Sequence, residues 1–146
     1  MKKTVVLGAA LALLSACGGP TWVYLRGLKP MNENDRKEST AVDLRIYQLK
    51  DDSRFNQATV DKLWTDDKGA LGDDLLSVKT ITVQPGVADD KLVELNLGDL
   101  PDSVRFIGFF ALFPREDDKG PRKLVLPKAE AGKVLRLTGY HIASDK

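Results

Sequence analysis

The chain has 146 residues, enough for one domain with a single core and short for two ordinary ones. With 42% apolar and 29% charged residues it has the composition of a globular protein, which excludes a disordered tail and a polytopic membrane protein. The formal charge is +1, and without Lys2 and Lys3 the count is 20 basic against 21 acidic residues, which argues against a nucleic-acid partner because phosphate binding needs a basic surplus. One cysteine and one histidine exclude a disulfide framework and a Cys/His zinc site.

Lys2 and Lys3 precede an apolar run over residues 5–14, the length of a signal-peptide core and too short to span a membrane. Leu14-Ser15-Ala16-Cys17 follows and resembles a bacterial lipobox, in which the cysteine is lipidated before cleavage in front of it. Residues 1–16 are therefore expected to be a lipoprotein signal, residues 17–20 a lipidated tether and residues 21–146 the folded domain. Cys17 would carry the N-acyl and diacylglycerol lipid, with no other cofactor. The alternative is an ordinary signal cleaved after Ala16, which would leave an unpaired thiol in an oxidising compartment. One acyl chain holds only marginally at roughly 0.8 kcal/mol per methylene, so the several chains of a lipoprotein are needed for a lasting anchor. Gly18 stands where enteric lipoproteins retained in the inner membrane have Asp, so the lipoprotein resemblance implies sorting to the outer membrane. Gly18, Gly19 and Pro20 reach about 10 Å when extended, which keeps the domain close to the leaflet.

Residues 22–28 and 41–49 alternate with period two; in the second, Val42, Leu44 and Ile46 share one face against Asp43, Arg45 and Tyr47. Both read as strands. The segment between them, residues 30–40, is polar, aperiodic and longer than a hairpin requires. Asn56 is expected to cap a helix ending near Asp66, with Phe55 and Val60 as a hydrophobic staple and Val60, Leu63 and Trp64 on one face. A short turn is expected over residues 71–76. Residues 77–84 and 91–97 read as strands separated by a Pro85-Gly86 turn. Residues 104–113 are almost wholly apolar and predict a central strand covered on both sides, the second side by the helix; Phe106, Ile107, Phe109, Phe110, Leu112 and Phe113 should supply much of the core. Strands over residues 123–126 and 133–142 bring the total to about seven. The fold class is all-β, an antiparallel β-sandwich with a small helical insertion after the second strand.

Signs of catalysis are few. Five Asp-Asp pairs, at Asp51, Asp66, Asp73, Asp89 and Asp117, lack the ligand order of a calcium loop and read as solvated turns. His141 has no second His or Cys to join it and reads as a hydrogen-bonded or surface residue, and Trp64 reads as core. No enzyme activity is expected, and an exported sandwich of this kind points to binding.

The run from Val42 to Asp51, Phe55-Asn56, Leu63-Trp64 and Ala70-Leu71-Gly72-Asp73-Asp74-Leu75-Leu76 resembles the TssJ family of type VI secretion lipoproteins. Pro85-Gly86 and Arg105-Phe106-Ile107-Gly108-Phe109-Phe110-Ala111 continue the resemblance; Pro121-Arg122-Lys123-Leu124 departs from it where members often have a tryptophan. The family implies a transthyretin-like sandwich without catalysis, lipid-anchored on the periplasmic face of the outer membrane. It also implies a partner, the periplasmic C-terminal domain of TssM, and through it TssL, with copies arranged in a ring as a further option. The family's first inter-strand loop is implicated in the TssM contact. Here that loop supplies Met31, Asn32, Glu33, Asn34, Asp35, Arg36 and Lys37 as candidate contacts, against the alternative of a mobile solvated loop. A competing class is a periplasmic, lipid-anchored carrier of small ligands, whose mark would be a polar-rimmed apolar pocket.

Overall fold

Period-two alternation is realised as two sheets packed face to face. The computed structural model describes residues 18–86 and 92–145. There, β1 (Trp22–Met31), β4 (Val93–Asn96), β7 (Val134–Gly139) and β8 (His141–Ser144) form one sheet in the order β4-β1-β7-β8. The second has β3 (Leu75–Val83), β2 (Val42–Leu49), β5 (Phe106–Ala111) and β6 (Lys123–Pro127) in the order β3-β2-β5-β6.

The sandwich and its helical insertion after β2 agree with the sequence reading, and β5 is central as expected. The described residues contain eight strands rather than seven. The run over residues 133–142 folds back at Gly139, whose φ of +53° is a left-handed conformation that glycine adopts without strain, so it forms β7 and β8. One strand pair is parallel: β1 lies beside β7, with Tyr24 opposite Val134 and Gly27 opposite Leu137. Residues 85 and 86 lead from one sheet to the other instead of joining neighbours, and the Gly86 N–H donates to the Gly27 carbonyl at 2.8 Å. A Cβ on Gly27 would collide with the Gln84 carbonyl oxygen, so this crossing needs a residue without a side chain.

Two apolar clusters follow from the two faces of the second sheet. Val42, Leu44 and Ile46 of β2 meet Val23, Leu25 and Leu135 of the first sheet in the inter-sheet core. On the outer face Tyr47, Leu49 and Phe110 pack against Phe55, Leu63 and Leu71 of the helical insertion. That second layer is why β5 is apolar on both sides; full burial of each such side chain contributes about 1.5–3 kcal/mol. Phe109, Phe110, Ile107 and Phe113 are fully buried, whereas Phe106 and Leu112 are only partly so.

The insertion is three short helices, not one. They are α1 (Ser53–Gln57), α2 (Val60–Thr65) and α3 (Asp67–Leu71), followed by a 3-10 turn at Gly72–Asp74. Phe55 lies inside α1, so neither the Asn56 cap nor the staple forms. Instead Thr59 Oγ1 accepts from the Lys62 N–H at 3.3 Å to start α2, and Asp66 Oδ1 accepts from the Gly69 N–H at 3.0 Å to start α3. The break falls at Ala58, which is extended with ψ 131°.

The quoted family segments do the docking. Arg45 Nη1 donates to the Leu63 carbonyl at 2.7 Å and to Asp67 Oδ2 at 3.2 Å, and the Tyr47 hydroxyl donates to the same carboxylate at 3.1 Å. Burial pushes the Tyr47 phenol well above its ordinary pKa, so the hydroxyl stays a donor. A Cβ on Gly108 would come within 2.9 Å of Phe55 Cε2, so the glycine in β5 makes the space that Phe55 fills.

Candidate functional site

β1 joins two opposite poles of the sandwich. At its start the Thr21 N–H donates to the Gly98 carbonyl at 2.9 Å and the Leu97 N–H donates to the Thr21 carbonyl at 2.8 Å, so Thr21 is already tied to the first sheet. Gly18, Gly19 and Pro20 are exposed outside it. Cys17 and the signal expected over residues 1–16 lie outside the described residues. Ten strand residues later, roughly 33 Å away at the usual rise, β1 enters the loop that the sequence left as an aperiodic polar segment.

That loop has a defined shape. Asn32 takes φ +46°, and its Nδ2 donates to Thr40 Oγ1 at 2.9 Å and to the Ala41 carbonyl at 2.7 Å. Asn34 Oδ1 accepts from the Arg36 N–H at 2.9 Å and the Glu38 N–H at 3.0 Å, while Asn34 Nδ2 donates to Glu38 Oε2 at 2.8 Å. The Lys37 N–H donates to the Asn34 carbonyl at 3.0 Å with Lys37 at φ +62°. This is a tight tip that closes in a left-handed residue, a common ending for three-residue hairpin loops.

The candidate contacts therefore separate by role. Met31 is the last residue of β1 and is fully buried, so its side chain belongs to the core. Asn32 and Asn34 hold the loop's form, and Glu33 is half-buried. Asp35, Arg36 and Lys37 are exposed at the tip, followed by exposed Glu38, so the presented surface is two adjacent positive charges flanked by negative ones.

Three residues that sequence reasoning did not place here brace the loop from behind. The Tyr140 hydroxyl donates to the Glu33 carbonyl at 2.9 Å. The Arg115 guanidinium lies 4.7 Å from the centre of the Tyr140 ring and donates to the same carbonyl at 3.5 Å. Asp117 accepts from the Tyr140 N–H at 3.0 Å, from the Lys119 N–H at 2.9 Å and from His141 Nδ1 at 2.8 Å. The Tyr140 N–H, then the His141 ring and the Lys119 N–H, hold the Asp117 carboxyl well below the usual carboxylate range. His141 thus has the hydrogen-bonded structural place expected of it. Two of the Asp pairs do more than solvate turns, since Asp67 and Asp117 each lock two segments together. No local sequence signal marks these bonds, because Asp117 and His141 stand 24 positions apart.

Trp64 departs from its core reading: it is 39% exposed, with its ring edge-on to Phe110 at 6.1 Å. Among the described residues no group of three or more His, Cys, Asp or Glu side chains is placed to hold a metal. A groove of about 440 Å³ lies between the helices, lined by Arg54, Gln57, Thr59, Lys62 and Asp66 with Ala58, Gly69 and Ala70; no large apolar side chain lines it, unlike an apolar ligand pocket with a polar rim. Among the described residues no helix is long and apolar enough to cross a membrane.

The described residues form an all-β sandwich with a hydrogen-bonded, charged loop at one pole. Residues 21–142 match the profile of the type VI secretion lipoproteins that include VasD, EvfM and TssJ, and the chain belongs to that family. Among solved structures it is similar to a chain described as part of a type VI membrane complex, with 26% identity, a TM-score of 0.75, and coverage of 88% of this chain and 98% of that one. It is similar to the type VI secretion lipoprotein TssJ1 of Pseudomonas aeruginosa at 25% identity and a TM-score of 0.64, covering 87% and 98%. A chain from a structure described as the TssM C-terminal domain (869–1107) from EAEC has the same fold at 23% identity and a TM-score of 0.73, covering 88% and 98%. None of the curated proteins matches the chain.

Proposed function

We propose that the chain is lipidated at Cys17, sits on the periplasmic face of the outer membrane, and fastens the type VI membrane complex there without catalysing any reaction. Its partner is the periplasmic C-terminal domain of TssM, which continues to TssL, and the contact surface is the tip formed by Asp35, Arg36, Lys37 and Glu38. One observation carries this reading: the strand that leaves the tether at Thr21 ends in a rigid, charged tip at the far pole. Family membership in type VI secretion supports the same partner class.

The mechanics follow from the sheet. β1 is hydrogen-bonded to β4 on one side and to β7 on the other, so tension between tether and tip runs along a strand that is held on both edges. Bonds that cross a pulled strand are loaded together rather than opened one at a time, each with a net contribution of about 1 kcal/mol. An interface of about 800 Å² per partner would suffice for a specific contact, and copies in a ring would add avidity to a modest one.

The test uses the tip alone. Replacing all of residues 32–37 by Gly and Ser would also remove the Asn32 and Asn34 bonds and so confuse stability with binding. The combined Asp35→Ala, Arg36→Ala and Lys37→Ala variant leaves those bonds intact. It should weaken binding to the periplasmic TssM fragment about ten-fold, or ~1.4 kcal/mol, at an unchanged melting temperature. Equal affinity by calorimetry would refute the assignment.

A further inference from the structure

The anchor pole carries an exposed indole that the sandwich does not use. Trp22 is the first residue of β1 and is 37% exposed, while its neighbour Val23 is fully buried. Alternation therefore stands the Trp22 ring on the outer face of the first sheet, beside Asn96 of β4. The helices pack on the other sheet, so none of them covers this face.

What can cover this ring is limited by distance. The backbone bonds of Thr21 to Leu97 and Gly98 fix the body at that residue, which leaves Gly18, Gly19 and Pro20 as the whole spacer to Cys17. Fully extended, the four Cα steps from Cys17 to Thr21 reach about 13–14 Å, little more than the roughly 10–12 Å width of a single α-helix with its side chains. A gap of that height leaves no clearance for a folded element wider than one helix. The lipid leaflet that holds Cys17 is the surface within reach.

We infer that Trp22 lies in the headgroup layer of that leaflet and forms a second, non-covalent contact that fixes the tilt of the domain. This rests on the lipidation of Cys17 proposed above. An indole suits the layer because its ring is apolar and its N–H donates to ester carbonyls, which is why tryptophan concentrates at membrane interfaces. The rows behind it limit the depth. The next outward row pairs Tyr24 with Glu94, and the one after pairs Arg26 with Arg136, charges that stay out of hydrocarbon. Entry therefore stops at the first row. A body held at one lipid swings freely about its tether, whereas a second contact a few residues away aims the tip at Asp35 to Lys37 toward the periplasm.

The experiment uses the mature lipoprotein carrying Trp64→Phe, so that Trp22 is the single tryptophan and is excited selectively over the tyrosines, reconstituted in phosphatidylethanolamine and phosphatidylglycerol vesicles. Lipids brominated near the ester or deep in the chain serve as quenchers, and intact mass reports the modification of Cys17. The expected result is a blue-shifted emission, quenching by the shallow bromines above the deep ones, and about five-fold less quenching by acrylamide than in the unlipidated Cys17→Ser chain. A lipidated chain whose Trp22 is quenched by acrylamide as strongly as the unlipidated one overturns the inference and leaves the anchor standing. Protection from acrylamide without bromine quenching overturns it too, because protein then covers the ring. An unmodified Cys17 removes both the anchor and this contact.

Discussion

The Tyr140 hydroxyl and the Glu33 carbonyl, 107 positions apart in the chain, meet at 2.9 Å behind the charged tip. The bond ties the β7 to β8 corner to the base of the loop, and Phe113 holds the Tyr140 ring edge-on at 6.1 Å. Tyr140→Phe removes the donor and keeps the ring. It should cost about 1 kcal/mol, lower the melting temperature by about 3–5 °C, and speed amide exchange in residues 32–38. Unchanged exchange there would show that the loop keeps its form without this brace.

Asp117 makes the same pole sensitive to acid. Its carboxyl is held below its ordinary value of 3.8 first by the Tyr140 N–H, then by His141 and the Lys119 N–H. A depressed carboxylate contributes stability in full above the unfolded value, and loses it as pH falls below 3.8 toward the folded value. Asp117→Asn should therefore lower the melting temperature at pH 7 and flatten its decline on the acid side of about pH 4. Melting curves of both chains between about pH 3 and 7 decide it, and parallel curves across that range would count against the carboxylate.

Which features were legible in the sequence follows from where their causes lie. β2 and β5 were plain because their patterns are local: alternation for one faced by a single core, a continuous apolar run for one covered twice. The parallel pairing of β1 with β7 was not, since both strands alternate and nothing local chooses their partners. Alternation also reads straight through Gly139, so one strand was expected where a turn makes two. The helix was misread because its break at Ala58 is offset by Lys123, from 65 positions away. Of the site, the loop's unexplained length was the legible part. The burial of Met31 and the brace from Arg115 and Tyr140 depend on contacts made only in the fold.

Gly108 tests the second apolar layer. The missing side chain in β5 is the space occupied by Phe55, whose Cε2 and Cδ2 would stand 2.9 Å and 3.1 Å from an added Cβ, with Leu49 Cδ1 at 3.2 Å. All three neighbours are packed, and Phe55 also touches Tyr47 with ring centres 5.6 Å apart. Gly108→Ala should therefore force Phe55 outward and cost about 1–3 kcal/mol as overpacking. Combining it with Phe55→Leu should recover part of the loss, because the leucine vacates ring volume. A double variant whose cost equals the sum of the singles would mean that the two residues do not share the space.

Lys123 tests the break in the insertion. The last carbonyls of a helix have no partners within it, and here the chain turns extended at Ala58 before a second helix can supply any. Lys123 Nζ donates to the carbonyls of Phe55, Asn56 and Ala58 at 2.7, 2.8 and 2.6 Å, and lies 5.4 Å from the centre of the Phe55 ring. Burial lowers the pKa of the ammonium, so its lost hydration is replaced by these three acceptors. Lys123→Met keeps the aliphatic stem and strips the donors, leaving part-buried carbonyls unpaired. The expected cost is about 2–3 kcal/mol, read as a lower urea midpoint at an unchanged slope. Lys123→Arg should recover only part of it, because a planar guanidinium fork fits a carboxylate better than three carbonyls converging on one point. If the methionine variant unfolds at the same urea concentration as the parent, the insertion is held by Arg45, Tyr47 and the apolar layer alone.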